Sequence, residues 1–146
     1  MRCFKLMVLI VGLSPSAFAA DSPFSGTWKH KPVNGVPSDN LANVQADDQH
    51  IKLDQRFVDE KGQSHTMNFD AKFDGKDYPV SGDPSFDSVS VKRKSDHLIK
   101  ISWKNKAKVL YAAEVSVSQD GKTTTVNYRD FRGKSPEKGT DVFDKQ

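Results

Sequence analysis

Four histidines, His30, His50, His65 and His97, are the side chains of this 146-residue chain best suited to moving a proton or holding a metal. None stands at the i, i+2 or i, i+4 spacing that would set two imidazoles on one face, so no metal motif appears. Asp47-Asp48-Gln49-His50 is the most metal-like cluster, but a polar turn between two strands explains it better. No Gly-x-Ser-x-Gly elbow occurs, and no serine has a catalytic context. An acid–base pair would need distant segments to meet at a rim, with His65, His97 and Asp87 as its members, or Asp87 and Asp96 as paired carboxylates. The expectation is a protein without catalytic, metal or cofactor-binding residues, and therefore not an enzyme.

The first nineteen residues are set apart from the rest. Arg2 and Lys5 make a basic start, Leu6 to Leu13 an apolar run, and Ala17-Phe18-Ala19 a small-x-small cleavage pattern. This is the layout of a secretory signal, and the run is too short to span a bilayer. The expected organisation is a signal peptide at 1–19 and one domain at 20–146, exported to the periplasm or beyond. Cys3, the single cysteine, leaves with the leader, so the mature domain is held by burial without disulfides.

Charge is nearly balanced but unevenly placed. Residues 39–60 carry Asp39, Asp47, Asp48, Asp54, Asp59 and Glu60 against Lys52 and Arg56. Residues 88–108 carry Lys92, Arg93, Lys94, Lys100, Lys104, Lys106 and Lys108 against Asp96. Lys92, Lys100, Lys104, Lys106 and Lys108 could make a weak contact with an anionic surface. Solvated outer strand faces account for them more simply. The excess is too small, and too poor in neighbouring aromatics, for nucleic acid.

Period two governs the elements that must position any site. Ile51, Leu53, Gln55 and Phe57 share one face, as do Met67, Phe69, Ala71 and Phe73, then Val89 and Val91, then Ile99, Ile101 and Trp103. Val109, Tyr111, Ala113, Val115 and Val117 follow, with Leu110 out of phase, and then Val126 and Tyr128. Each segment has one apolar and one wet face, the mark of an antiparallel sheet around a core. Asp59-Glu60-Lys61-Gly62, Asp74-Gly75-Lys76, Lys94-Ser95-Asp96 and Asp120-Gly121-Lys122 separate them as turns. With Gly26 to His30, Leu41 to Ala46, Tyr78 to Val80 and Thr140 to Phe143, about ten strands result. The expected fold is all-β, an up-and-down meander of about eight to ten strands closed into a barrel. A two-sheet sandwich would need longer crossovers.

Phe24-Ser25-Gly26-Thr27-Trp28-Lys29 and the C-terminal Asp141-Val142-Phe143-Asp144-Lys145-Gln146, joined by such a meander, resemble the calycins, the group of lipocalins and fatty-acid-binding proteins. The resemblance implies that Gly26 and Trp28 form the structural motif at the closed barrel end, with Arg129 or Arg132 covering the indole. Residues 73–82, 87–93 and 117–123 look like small secreted bacterial proteins described at most as lipocalin-like, a group that brings no activity with it. The helical lid of fatty-acid-binding proteins and the disulfide common in lipocalins are both missing. Tyr128-Arg129 reverses the order of the carboxylate clamp.

The inward phase also holds polar groups. Gln55, Arg93, Tyr111 and Tyr128 either face a wet cavity or are satisfied locally, since an unpaired buried polar group costs about 1–3 kcal/mol. A hollow barrel would bind a small, largely apolar ligand in the cell envelope. Phe57, Phe69, Trp103 and Tyr111 would line it, and Arg93 or Tyr128 would meet a polar group. A barrel filled by its own side chains would instead act through its outer surface, as a protein-binding or inhibitor module.

Overall fold

A computed structural model describes residues 22–32, 38–59 and 61–146. The leader at 1–19, with Cys3, lies outside the described residues, as does the middle of the first connection around Gly35. Ten strands follow one another: β1 (Gly26–His30), β2 (Leu41–Ala46), β3 (His50–Val58), β4 (Ser64–Lys72), β5 (Asp74–Ser81), β6 (Ser88–Ser95), β7 (Leu98–Asn105), β8 (Lys108–Val117), β9 (Thr123–Asp130) and β10 (Glu137–Lys145). Each pairs antiparallel with its sequence neighbour, and β1 pairs with both β2 and β10, so the sheet is a closed barrel. Closure rules out the sandwich and leaves no edge strand to protect. Among the described residues there is no helix, and hence none long and apolar enough to cross a membrane.

The alternation read from the sequence becomes inside and outside. Val89, Val91 and Ile99 are the largest fully buried side chains, with Val89 paired to Trp103 and Val91 to Ile101 across β6 and β7, while Lys92 and Lys100 pair on the outer face. Two expectations shift. The Asp74-Gly75-Lys76 turn is absorbed into β5, where pairing with β6 slips between Asp74 and Asp77. Asp74 stabilises the kink by accepting hydrogen bonds from Lys76 N and the Tyr78 hydroxyl, at 3.0 and 2.7 Å. On β8, Val109 is not inward but 36% exposed. Trp103 pairs with Tyr111 and Lys104 with Val109, which leaves Leu110 as the extra residue of a bulge. The bulge reverses the phase and turns the half-buried Leu110 toward the core.

The barrel has two different ends. One carries the β2–β3, β4–β5, β6–β7 and β8–β9 turns and the approach to β1. Here Trp28 is only 3% exposed and its Nε1 donates to the Phe24 carbonyl at 3.0 Å. Its cover is Lys145, whose Nζ lies 5.6 Å from the indole centroid, rather than the expected Arg129 or Arg132. Arg132 belongs to the β9–β10 connection at the opposite end, and the outward-facing Arg129 pairs with Ala112 and Lys138 on the strands beside it. Gly26 is needed beneath that lysine. Its φ is +144°, and a Cβ there would meet the Lys145 stem at 2.7 Å.

Candidate functional site

A cavity of about 290 Å³ occupies the barrel and opens toward the other end, where the β5–β6, β7–β8 and β9–β10 connections gather. Its floor is Phe24, Trp28, Thr124 and Phe143, and its walls are chiefly Ile51, Leu53, Met67, Ile99, Ile101, Val115 and Val126. These come from the inward positions of eight or more residues' worth of alternating strand, so the hydrocarbon lining follows directly from the period-two pattern. Val115 and Val126, paired across β8 and β9, are inward yet only partly buried. A packed interior would cover them fully.

Aromatic rings rise from mid-barrel to the mouth. Phe69 meets Trp103 edge-on at 6.5 Å, Trp103 meets Tyr111 edge-on at 5.3 Å, and Tyr111 stacks on Tyr128 at 5.4 Å. Tyr128 can lie there because Gly139, its partner on β10, has no Cβ to obstruct the phenol. Phe86, from the β5–β6 connection, tucks into the mouth beneath the Arg132 guanidinium.

The polar groups also concentrate at the mouth. Asn40 Oδ1 accepts from Gln55 Nε2 at 2.8 Å. Arg132 donates through Nε at 2.9 Å and through a terminal nitrogen to the two oxygens of Asp130. That pairing holds the Asp130 carboxyl below the usual carboxylate range and pushes the guanidinium further up. Asp83 lies beside Arg132 on the wall, its Oδ1 capping Ser85 N at 2.8 Å. Asp141 faces His30 Nε2 at 3.1 Å. Burial, and then the Asp141 carboxylate, raise the Tyr111 hydroxyl far above the ordinary phenol range, and the same two causes raise Tyr128 less. Two residues of the cavity wall, Trp103 and Thr124, each carry a buried polar atom, Nε1 and Oγ1, that has no protein partner.

Of the residues singled out in the sequence, Phe57, Phe69, Trp103 and Tyr111 line the cavity, and Tyr128 stands behind Tyr111. Arg93 lies at the closed end, 4.5 Å over the Phe73 ring and 3.4 Å from the Asp47 and Asp48 carbonyls. His65 and His97 are at opposite ends, one bonded to Asp59 at 2.7 Å and the other to the Val117 carbonyl at 3.1 Å. They cannot act together, and neither can Asp87 and Asp96, which flank β6 at its two ends. Asp47 serves as a turn cap, taking the Gln49 and His50 N–H groups at 2.7 Å. Among the described residues no three His, Cys, Asp or Glu side chains converge. The lysine strip lies outside on β6–β8, with Lys100 tied to Glu114 and Lys104 to Asp77.

Sequence reasoning passed over Asn40, Asp83, Phe86, Thr124 and Asp141 as cavity residues, and placed Arg132 at the closed end. Asp141 was within reach, because it precedes Phe143 by two and shares its inward phase. The connections that bring Asp83, Phe86 and Arg132 to the mouth carry no periodic signal. Comparison with known protein families, curated proteins and solved structures finds no match.

Proposed function

We propose that this chain is an exported, non-catalytic, lipocalin-like barrel that holds a small, largely apolar ligand in the cell envelope. The carrying observation is the cavity of about 290 Å³ with hydrocarbon walls and a polar mouth. Ligand pockets combine an apolar body with a few convergent polar groups in this way, and this volume falls just short of their usual range of roughly 300–1,000 Å³. A small ligand therefore suits it better than a bulky one. The same hollow speaks against a barrel filled by its own side chains.

The export half of the reading rests on the basic, apolar and Ala17-Phe18-Ala19 segments of the leader. Intact-mass measurement on envelope material should give a mature chain starting near Ala20. A chain retaining Met1 in the cytoplasm would contradict it. The binding half is tested by titrating the purified protein with short alcohols, retinol and a neutral hydrophobic dye while following tryptophan emission. Trp28 and Trp103 both line the cavity, so a saturable change is expected. A flat response across the panel would contradict the reading.

A further inference from the structure

We infer that the cavity selects a ligand bearing a protonated amine, with Asp141 as the carboxylate that anchors it. This rests on the cavity reading above and adds the charge of the ligand's head. The cavity wall contains one basic side chain of the lysine or arginine type, Arg132. That guanidinium is already engaged by both oxygens of Asp130 and has Asp83 beside it. Among the described residues of the wall no lysine or arginine is left over to receive a carboxylate or phosphate.

Asp141 is the reverse case. Its side chain is 32% exposed on the wall, and its one ion-pairing neighbour among the described residues is His30. The other His30 nitrogen, Nδ1, is buried without a partner. That leaves His30 a single side-chain hydrogen bond, to Asp141 Oδ1, and the second Asp141 oxygen has no protein partner among the described residues.

Two further features favour a cation. The Trp103 ring borders the same space, and a substituted ammonium is attracted to aromatic faces, whereas Tyr111 already has Arg132 5.9 Å over its ring and Tyr128 stacked on it. The Asp141 carboxylate raises the hydroxyls of both mouth tyrosines, second to burial, so its field reaches the groups around the proposed head site. The pocket itself has independent support in the unpartnered polar atoms of Trp103 and Thr124, two residues of its wall that are each 7% exposed.

The test compares octylamine, octanol and octanoate by tryptophan fluorescence titration at neutral pH and low salt, on the mature parent chain and on Asp141→Asn. Octylamine should bind the parent about tenfold more tightly than octanol, the scale of one charge-assisted hydrogen bond, and octanoate should bind most weakly. Asp141→Asn should bring octylamine to the level of octanol while octanol binding is unchanged, which also reports that the variant is folded. Should Asp141→Asn fail to fold, the order of the three ligands on the parent decides by itself. Octanoate or octanol binding as tightly as octylamine overturns the amine preference but leaves the cavity reading standing. An amine preference that survives in Asp141→Asn overturns the assignment to that carboxylate. Absence of binding by all three overturns both readings together.

Discussion

Trp28 ties the closed end together through contacts that are each small. The indole fills the barrel floor, its Nε1 bonds the Phe24 carbonyl, and the Lys145 ammonium covers its outer face. Trp28→Phe keeps most of the hydrophobic area but loses the donor and part of the volume. It should lower unfolding stability by about 2 kcal/mol, read from the denaturant midpoint at unchanged slope. At the mouth, Gly139→Ala should displace Tyr128, because a Cβ cannot coexist with the phenol lying across it. Octanol affinity should change more than stability if that ring pair shapes the entrance. The Gly-x-Trp motif was legible through the resemblance to the calycins, in which the order of strands carried more weight than the three residues themselves. The lysine cover was not, since register between β1 and β10 brings Lys145 opposite Trp28 and no local pattern encodes that pairing.

Strands were easier to read than the places where they deviate. Ile51 to Phe57, Met67 to Ala71 and Ile99 to Trp103 alternate without interruption, and each lies in a strand with that face inward, whereas Phe73 falls in the turn just past β4. Leu41–Ala46 is also a strand, because β1 and β3 pair with its two edges. The Leu110 bulge could only be seen in part. Leu110 stood out of phase, yet Val109 was assigned inward, because alternation carries no information on which side of an insertion the phase resets. The β7–β8 turn escaped notice for a different reason. Lys106 and Ala107 have φ values of 49° and 65°, the left-handed pair of a tight hairpin, without the Asn or Gly that usually announces one. Left-handed backbone costs an L-residue roughly 1–2 kcal/mol. Lys106→Asn with Ala107→Gly should therefore raise stability by about 1 kcal/mol, less than the full strain because glycine also gains freedom in the unfolded chain. A thermal midpoint that falls instead would show that the turn is not strained.

At the scale of the molecule, titration should destabilise the barrel at both extremes. Hydrogen bonds hold five carboxyls below the usual range: backbone N–H groups for Asp47, His65 for Asp59, Tyr78 for Asp74, Ser118 for Asp120 and Arg132 for Asp130. The unfolded chain then takes up protons first on acidification. Stability is fully present above about pH 4 and is lost as pH falls through the lower folded values. The three tyrosines are shifted the other way, Tyr78 by its bond to Asp74, Tyr111 and Tyr128 chiefly by burial. Their contribution is full below about pH 10 and disappears above it, so phenolate absorbance should rise together with unfolding. Midpoints that stay constant across both windows would contradict these assignments.

The hollow interior is the claim on which the functional reading depends, and calorimetric titration of octanol into the parent chain and Val115→Phe tests it most directly. Val115 lies on the cavity wall and is only partly buried. An added ring would occupy empty space in a hollow barrel, but would overpack a filled one at a cost of about 1–3 kcal/mol. Saturable binding to the parent with a negative heat-capacity change, and its loss in a Val115→Phe chain that remains as stable as the parent, is the expected result. No heat from either chain, or equal binding by both, would contradict it.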